Sequence, residues 1–164
     1  MKQPIRNYKK KEIIENTSKK ILSSVSNKGK KHKKYGTSKL EEDFAKQFLD
    51  KLGINYRYQF EAKDIGRFYD FYLPDEHLII EIDGDYWHGN PEKYSDDELK
   101  WHQKKARRVD EHKNKWALMH GIPILRIWES DIRKHPKEVL EMLEKTVKSR
   151  KEYIRLDENK KKRH

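Results

Sequence analysis

The sequence predicts an α/β domain: a small mixed β-sheet flanked by helices, with a basic segment at each end. Three observations carry this. Helical and strand periodicities follow one another as α-β-β-β-α-β-α between residues 37 and 147. A long helical stretch joins the third and fourth strands, the usual sign of a parallel pair. Charge is segregated as well. Residues 1–36 hold 12 Lys/Arg against 2 Glu, and residues 148–164 hold 8 Lys/Arg against 3 acids. The stretch between them has 19 basic and 23 acidic residues. With 41% charged residues the whole chain would lie near the disordered class, but its middle part is an ordinary mixed-charge sequence, long enough for one core.

In chain order, residues 17–25 read as a short helix with Ile21, Leu22 and Val25 on one side, ended by Gly29 inside a lysine cluster. Alone it is too short to be stable in water, so it should order only on a partner. Ser38-Lys-Leu-Glu41 is a capping-box pattern, after which Leu40, Phe44, Phe48 and Leu52 recur at near-helical spacing up to Gly53. Residues 54–60 alternate and carry aromatics, residues 67–73 (RFYDFYL) end at Pro74-Asp75, and residues 77–83 (HLIIEID) read as the central strand. Ser95-Asp-Asp-Glu98 opens a helix running to about His120, with Gly121 as its stop signal. Residues 122–128 (IPILRIW) form the fourth strand. Residues 136–149 form the last helix, with Val139, Leu140, Leu143 and Val147 inward.

Composition excludes several classes. There is no Cys, hence no disulfide framework and no thiolate zinc site. No apolar run approaches the ~18 residues of a membrane span, and no apolar stretch of signal-peptide length opens the chain, which predicts a cytoplasmic, intracellular protein. Basic ends on a near-neutral domain suit a polyanion, most simply nucleic acid. Solvated tails would have the same composition.

Three acids stand where a core strand should be apolar. Asp70 lies between Tyr69 and Phe71, and Glu81 and Asp83, two apart, share one face of the third strand. If strands two and three are neighbours, the three carboxylates converge. Clustered carboxylates need a counter-charge, a shared proton or a metal, and oxygen ligands suit Mg²⁺ or Mn²⁺. The alternative is an acidic strand face turned to water. His88 follows the third strand beyond Tyr86 and Trp87, and imidazole is the side chain best matched to proton transfer near neutral pH. Asp110 lies mid-helix after Lys104, Lys105, Arg107 and Arg108. On the residues alone it reads as an exposed partner of Lys113 or Arg107.

From Ser38 to Asp131 the sequence resembles the very-short-patch-repair (Vsr) type endonucleases and the related homing endonucleases whose site is called EDxHD, both of the PD-(D/E)XK nuclease class. Ser38-x-x-Glu41-x-x-Phe44 with Gly53 resembles the family's first helix, and Tyr69-Asp70-Phe71 its metal-binding strand. Gly84-Asp-Tyr-Trp-His88 resembles its Gly-x-aromatic-Trp-His segment. Asp110, 11 residues before Gly121, has the family's spacing for the second-helix Asp. Gly121-Ile-Pro-Ile-Leu-Arg-Ile-Trp-Glu129 resembles the closing strand. The resemblance implies a restriction-endonuclease-like core and a Mg²⁺- (or Mn²⁺-) dependent endonuclease acting on double-stranded DNA. Its catalytic residues would be Glu41, Asp70, His88 and Asp110, with metal on Asp70, Glu81 and Asp83 and His88 as general base. Glu42 competes with Glu41 for the first position. Tyr86, Trp87 and Trp101 would lie against DNA, the alternative for Trp87 and Trp101 being the core, with Arg107 and Arg108 adding phosphate contacts.

The chain departs from the family in two ways. Without Cys, the repair enzymes' structural zinc does not carry over. The wider class has Glu-x-Lys where this chain has Glu81-Ile82-Asp83. The lysine-rich segment also resembles the NUMOD3-type DNA-binding module of homing nucleases, which implies DNA contacts from Lys28, Lys30, Lys31, Lys33 and Lys34. That module favours a homing or other mobile-element nuclease over a mismatch-nicking repair enzyme or a non-catalytic DNA-binding protein.

Overall fold

A computed structural model describes residues 38–162. The helix expected at 17–25 and the basic segment with Lys28, Lys30, Lys31, Lys33 and Lys34 lie outside the described residues. Four strands form one mixed sheet: β1 (Arg57–Ala62), β2 (Arg67–Leu73), β3 (Leu78–Asp83) and β4 (Ile124–Trp128), ordered β1-β2-β3-β4. The first two pairings are antiparallel, and β3–β4 is parallel, as the long crossover requires.

Helices cover both faces. Helix α1 (Lys39–Phe44) passes into a π-helical turn at Ala45–Leu49 and, with α5 (Pro136–Lys161), covers one face. There Phe44, Phe48, Leu49, Phe71, Ile80 and Leu143 form the larger core. The other face is covered by α3 (Trp101–Met119), whose Trp116 and Ala117 pack with Tyr69, Tyr72, Ile79 and Ile122. Two short helices complete the domain: α2 (Asp85–His88) directly after β3, and α4 (Glu129–Lys134) after β4. No described helix is long and apolar enough to cross a membrane.

Several boundaries differ from expectation for identifiable reasons. Strand β1 starts at Arg57, not 54, because Ile54 is spent closing the helix before it: its N–H reaches the Leu49 carbonyl at 3.0 Å across Gly53, whose φ is +61°. The capping box at Ser38 does not form; the Ser38 side chain caps nothing, and Glu41 instead accepts the Tyr58 hydroxyl at 2.6 Å. The helix expected from 95 to 120 is interrupted. A 3₁₀ turn at Asp96–Glu98, held by the Ser95–Glu98 capping box, gives way to extended Leu99 and Lys100 before α3 begins. The last helix runs unbroken to Lys161, so the basic segment from 148 is helix rather than a separate tail over these residues. No Gly or Pro interrupts it. Buried Glu76 holds Lys151 at 3.2 Å, and Arg150 donates to the Glu76 and His77 carbonyls.

One irregularity in the sheet positions the site. Tyr58 and Phe71 face the α1/α5 core, but Phe60 and Tyr69, two residues away on the same strands, face α3. Strict alternation forbids this. The phase reverses between the Tyr58–Phe71 and Phe60–Tyr69 pairs, where Gln59 takes φ +51° opposite Asp70.

Candidate active site

The kink at Gln59 and Asp70 lies where β2 and β3 part. Their ladder pairs Leu73 with Leu78, Tyr72 with Ile79 and Phe71 with Ile80, and goes no further. Beyond it the Asp70 side chain replaces the missing backbone acceptor: Oδ2 takes the Ile82 N–H at 2.7 Å. Burial raises the pKa of Asp70, more than the Ile82 hydrogen bond and Lys113 lower it.

Glu81 and Asp83 project from β3 toward α3, as the period of two demands. Both are buried, and each meets a cation that the sequence reading had not assigned. Lys113 of α3 touches Glu81 Oε1 at 2.5 Å and lies 4.8 Å over the Tyr69 ring. Arg126 of β4 gives NH1 to both Asp83 oxygens, at 2.8 and 2.9 Å. The Glu81 carboxyl is nevertheless pushed up to about 8, by burial first and by the Asp70 charge second. Glu41 reaches this region from α1, and its carboxyl is pushed up to about 7 by burial and then by Asp70. Glu41 is half-buried and Glu42 exposed, which favours Glu41 as the residue of the site.

His88 ends α2, and Gly89 follows it in the left-handed region (φ +60°). Its Nδ1 contacts Asp110 Oδ2 at 2.8 Å, so Nδ1–H donates and Nε2 is left as the basic nitrogen. Asp110 is thus turned inward, not the exposed partner of Lys113 or Arg107. Burial acts to lower the His88 pKa, but the Asp110 hydrogen bond and the Asp83 and Asp110 charges raise it on balance. Burial opposes the charge of Asp110, while the His88 bond and Arg126 hold its carboxyl below the usual range.

The α2 turn is braced from below. Buried Asp85 accepts Asn90 Nδ2 at 2.6 Å, Lys93 Nζ at 2.7 Å and Ser130 Oγ at 2.9 Å. Arg107 ties the same loop to α3, donating to the Gly89 carbonyl at 2.7 Å and to Asp96 at 2.6 Å. Its guanidinium is therefore engaged in the loop, whereas Arg108 is exposed. Tyr86, Trp87 and Trp101 are 39%, 65% and 75% exposed, so none is a core residue. Tyr86 and Trp87 stand edge to face at 5.4 Å, and each contacts His102.

The structure therefore brings Glu41, Asp70, Glu81, Asp83, His88 and Asp110 to one end of the sheet from five elements. Sequence reasoning missed Lys113, Arg126 and Tyr58. Arg126 carried the signal that had flagged Asp70, a charged residue inside an apolar strand. Lys113 carried a weaker one, at helical spacing from Asp110 and Trp116.

No known protein-family model matches the chain, and no curated protein is significantly similar to it.

Proposed function

We propose that this domain is a metal-dependent endonuclease of the PD-(D/E)XK class that hydrolyses phosphodiester bonds of double-stranded DNA. One observation carries the reading: three carboxyls, Glu41, Asp70 and Glu81, lie at the parting of β2 and β3 beside a His88–Asp110 pair held at 2.8 Å. The exposed Tyr86 and Trp87 immediately precede His88 in α2.

The donor set fits a hard divalent cation. All three carboxyls retain protons more strongly than usual because burial first, and then a neighbouring carboxylate (Asp70 for Glu41 and Glu81, Asp83 for Asp70), disfavours their charges. Glu81 is buried, with its Oε1 against the Lys113 ammonium. Oxygen-only donors suit Mg²⁺ or Mn²⁺. Asp70 and Glu81 would hold the ion, which when bound neutralises charge on the scissile phosphate.

The chain's own groups do the rest. Asp110 fixes the His88 tautomer, and His88 Nε2 takes the proton of the attacking water, a contribution of roughly 10²–10⁴-fold. Lys113 limits the net charge beside Glu81. Tyr86, Trp87 and Trp101 offer apolar surface to a duplex, and Arg108 with the lysine-rich segment supplies phosphate contacts that carry no sequence information. That basic segment favours a homing or other mobile-element role over mismatch-nicking repair.

The test is a supercoiled plasmid incubated with the full chain in Mg²⁺, in Mn²⁺ and in EDTA. Nicking or linearisation should require the metal, and Asp70→Ala should abolish it while retaining gel-shift affinity. A protein that shifts DNA but never cuts it would be a binding protein on this fold, and the reading would fall.

A further inference from the structure

Asp83, His88 and Asp110 place ligand atoms within 4.8 Å of one another, and by composition they could be a metal site. The side chain between them argues otherwise. Arg126 gives NH1 to both oxygens of Asp83, and its NH2 lies 3.3 Å from Asp110 Oδ1. The other Asp110 oxygen holds His88 Nδ1. The four side chains thus form one relay, Asp83 to Arg126 to Asp110 to His88. A guanidinium keeps its charge throughout the working pH range, so a divalent ion placed among these residues would face a fixed cation.

The sheet makes this arrangement firm. Arg126 lies opposite Glu81 in the parallel β3–β4 ladder, and its side chain reaches two residues along to Asp83. Asp83 is 2% exposed. Charge-assisted pairs of this kind, with two hydrogen bonds from one donor group, set direction as well as energy. Asp110 sits on an independent helix. Without Arg126, one of its oxygens would lose its cation, and the carboxylate would be free to rotate about the His88 bond.

We propose that Asp83 and Arg126 are positioning residues: they hold Asp110, and through it His88, and Asp83 is no ligand of the metal. This rests on the nuclease reading for its catalytic consequence but not for its structural one. Four full-length variants test it: Asp83→Asn, Arg126→Gln, Arg126→Lys, and Asp70→Asn as the metal-ligand control. Near-ultraviolet circular dichroism checks the fold of each.

Mn²⁺ affinity, read by calorimetry without DNA, should change less than about threefold in Asp83→Asn and Arg126→Gln and fall at least tenfold in Asp70→Asn. Nitrogen–proton NMR at one fixed pH should show a hydrogen-bonded His88 Nδ1–H in the wild type, weakened in Arg126→Gln and largely restored in Arg126→Lys. Single-turnover cleavage at saturating DNA should slow at least tenfold in Arg126→Gln, with partial rescue by Arg126→Lys and little change in half-saturating DNA concentration.

Loss of Mn²⁺ affinity in Asp83→Asn comparable to that in Asp70→Asn would overturn the assignment. So would an unchanged His88 signal in Arg126→Gln, or a loss confined to DNA affinity, which would make Arg126 a phosphate contact. A wild type that cuts no DNA would remove the nuclease reading alone, leaving the metal and NMR measurements to decide the positioning role.

Discussion

Replacing Lys113 by Met removes an ammonium from the interior and keeps most of the stem. Lys113 is 8% exposed and Glu81 3%, and their charged atoms lie 2.5 Å apart. Stranding a buried carboxylate costs on the order of 3–5 kcal/mol, unless the carboxylate can take a proton instead. Glu81 can, because burial and Asp70 already push it up to about 8 with Lys113 present.

The sign follows. The neutral form of Glu81 is favoured in the folded state, so its contribution is full below the ordinary value of 4.5 and is lost as pH rises through about 8. At pH 7 both proteins fold with Glu81 protonated, and Lys113→Met costs mainly packing. Above pH 8 the wild type ionises Glu81 with the help of Lys113, while the variant must retain the proton against the solvent. Each further pH unit adds about 1.4 kcal/mol to the cost of the substitution. Urea unfolding in EDTA should therefore show Lys113→Met costing about 1 kcal/mol more at pH 9 than at pH 7, and Glu81→Gln in the same background should erase the difference. A cost independent of pH, or one that shrinks at pH 9, refutes the placement of Lys113 on a buried Glu81.

Four further outcomes are expected. Leu143→Ala, at a fully buried position of α5, should cost about 2–5 kcal/mol in denaturant unfolding. His77 has a pKa lowered by burial and by Arg150, so its protonation favours the unfolded chain. Stability should be full above about pH 6.5 and decline below it, and His77→Asn, which tolerates the observed φ of +48°, should make that decline shallower in a melting series from pH 7 to 5. Asp110→Asn should lower single-turnover cleavage about 10²-fold or more, and in the wild type the rate should fall on acidification through the raised pKa of His88. A flat wild-type profile would remove His88 as the base. Deleting residues 1–35 removes 12 Lys/Arg and should flatten the slope of log affinity against log salt for DNA; an identical slope would show that this segment touches no phosphate.

Local order was legible in the sequence, and so was the chemistry of single residues. The run RFYDFYL reads as a strand because aromatic residues suit a pleated surface, and its acid stands out for the same reason. The long crossover between HLIIEID and IPILRIW predicts their parallel pairing without any knowledge of contacts. His88 and Asp110 were legible as types at a spacing, and Asp110 only through a family resemblance, since on a helix wheel it reads as a solvent-facing partner of its neighbours.

Tertiary structure decided how the charges pair. Periodicity assigns a residue to a face but not to the side chain it meets across the sheet. Arg126 finds Asp83 because β4 lies parallel to β3 in one register, and Lys113 finds Glu81 because α3 crosses above them. The phase reversal at Gln59 and Asp70 could not be read from alternation at all, because it breaks alternation. It puts Asp70 on the Ile82 N–H instead of in either core. The length of α5 was likewise set by distant partners. Glu76 and His77, in the turn between β2 and β3, hold Arg150 and Lys151 and so carry the helix through a segment whose charge alone reads as a tail.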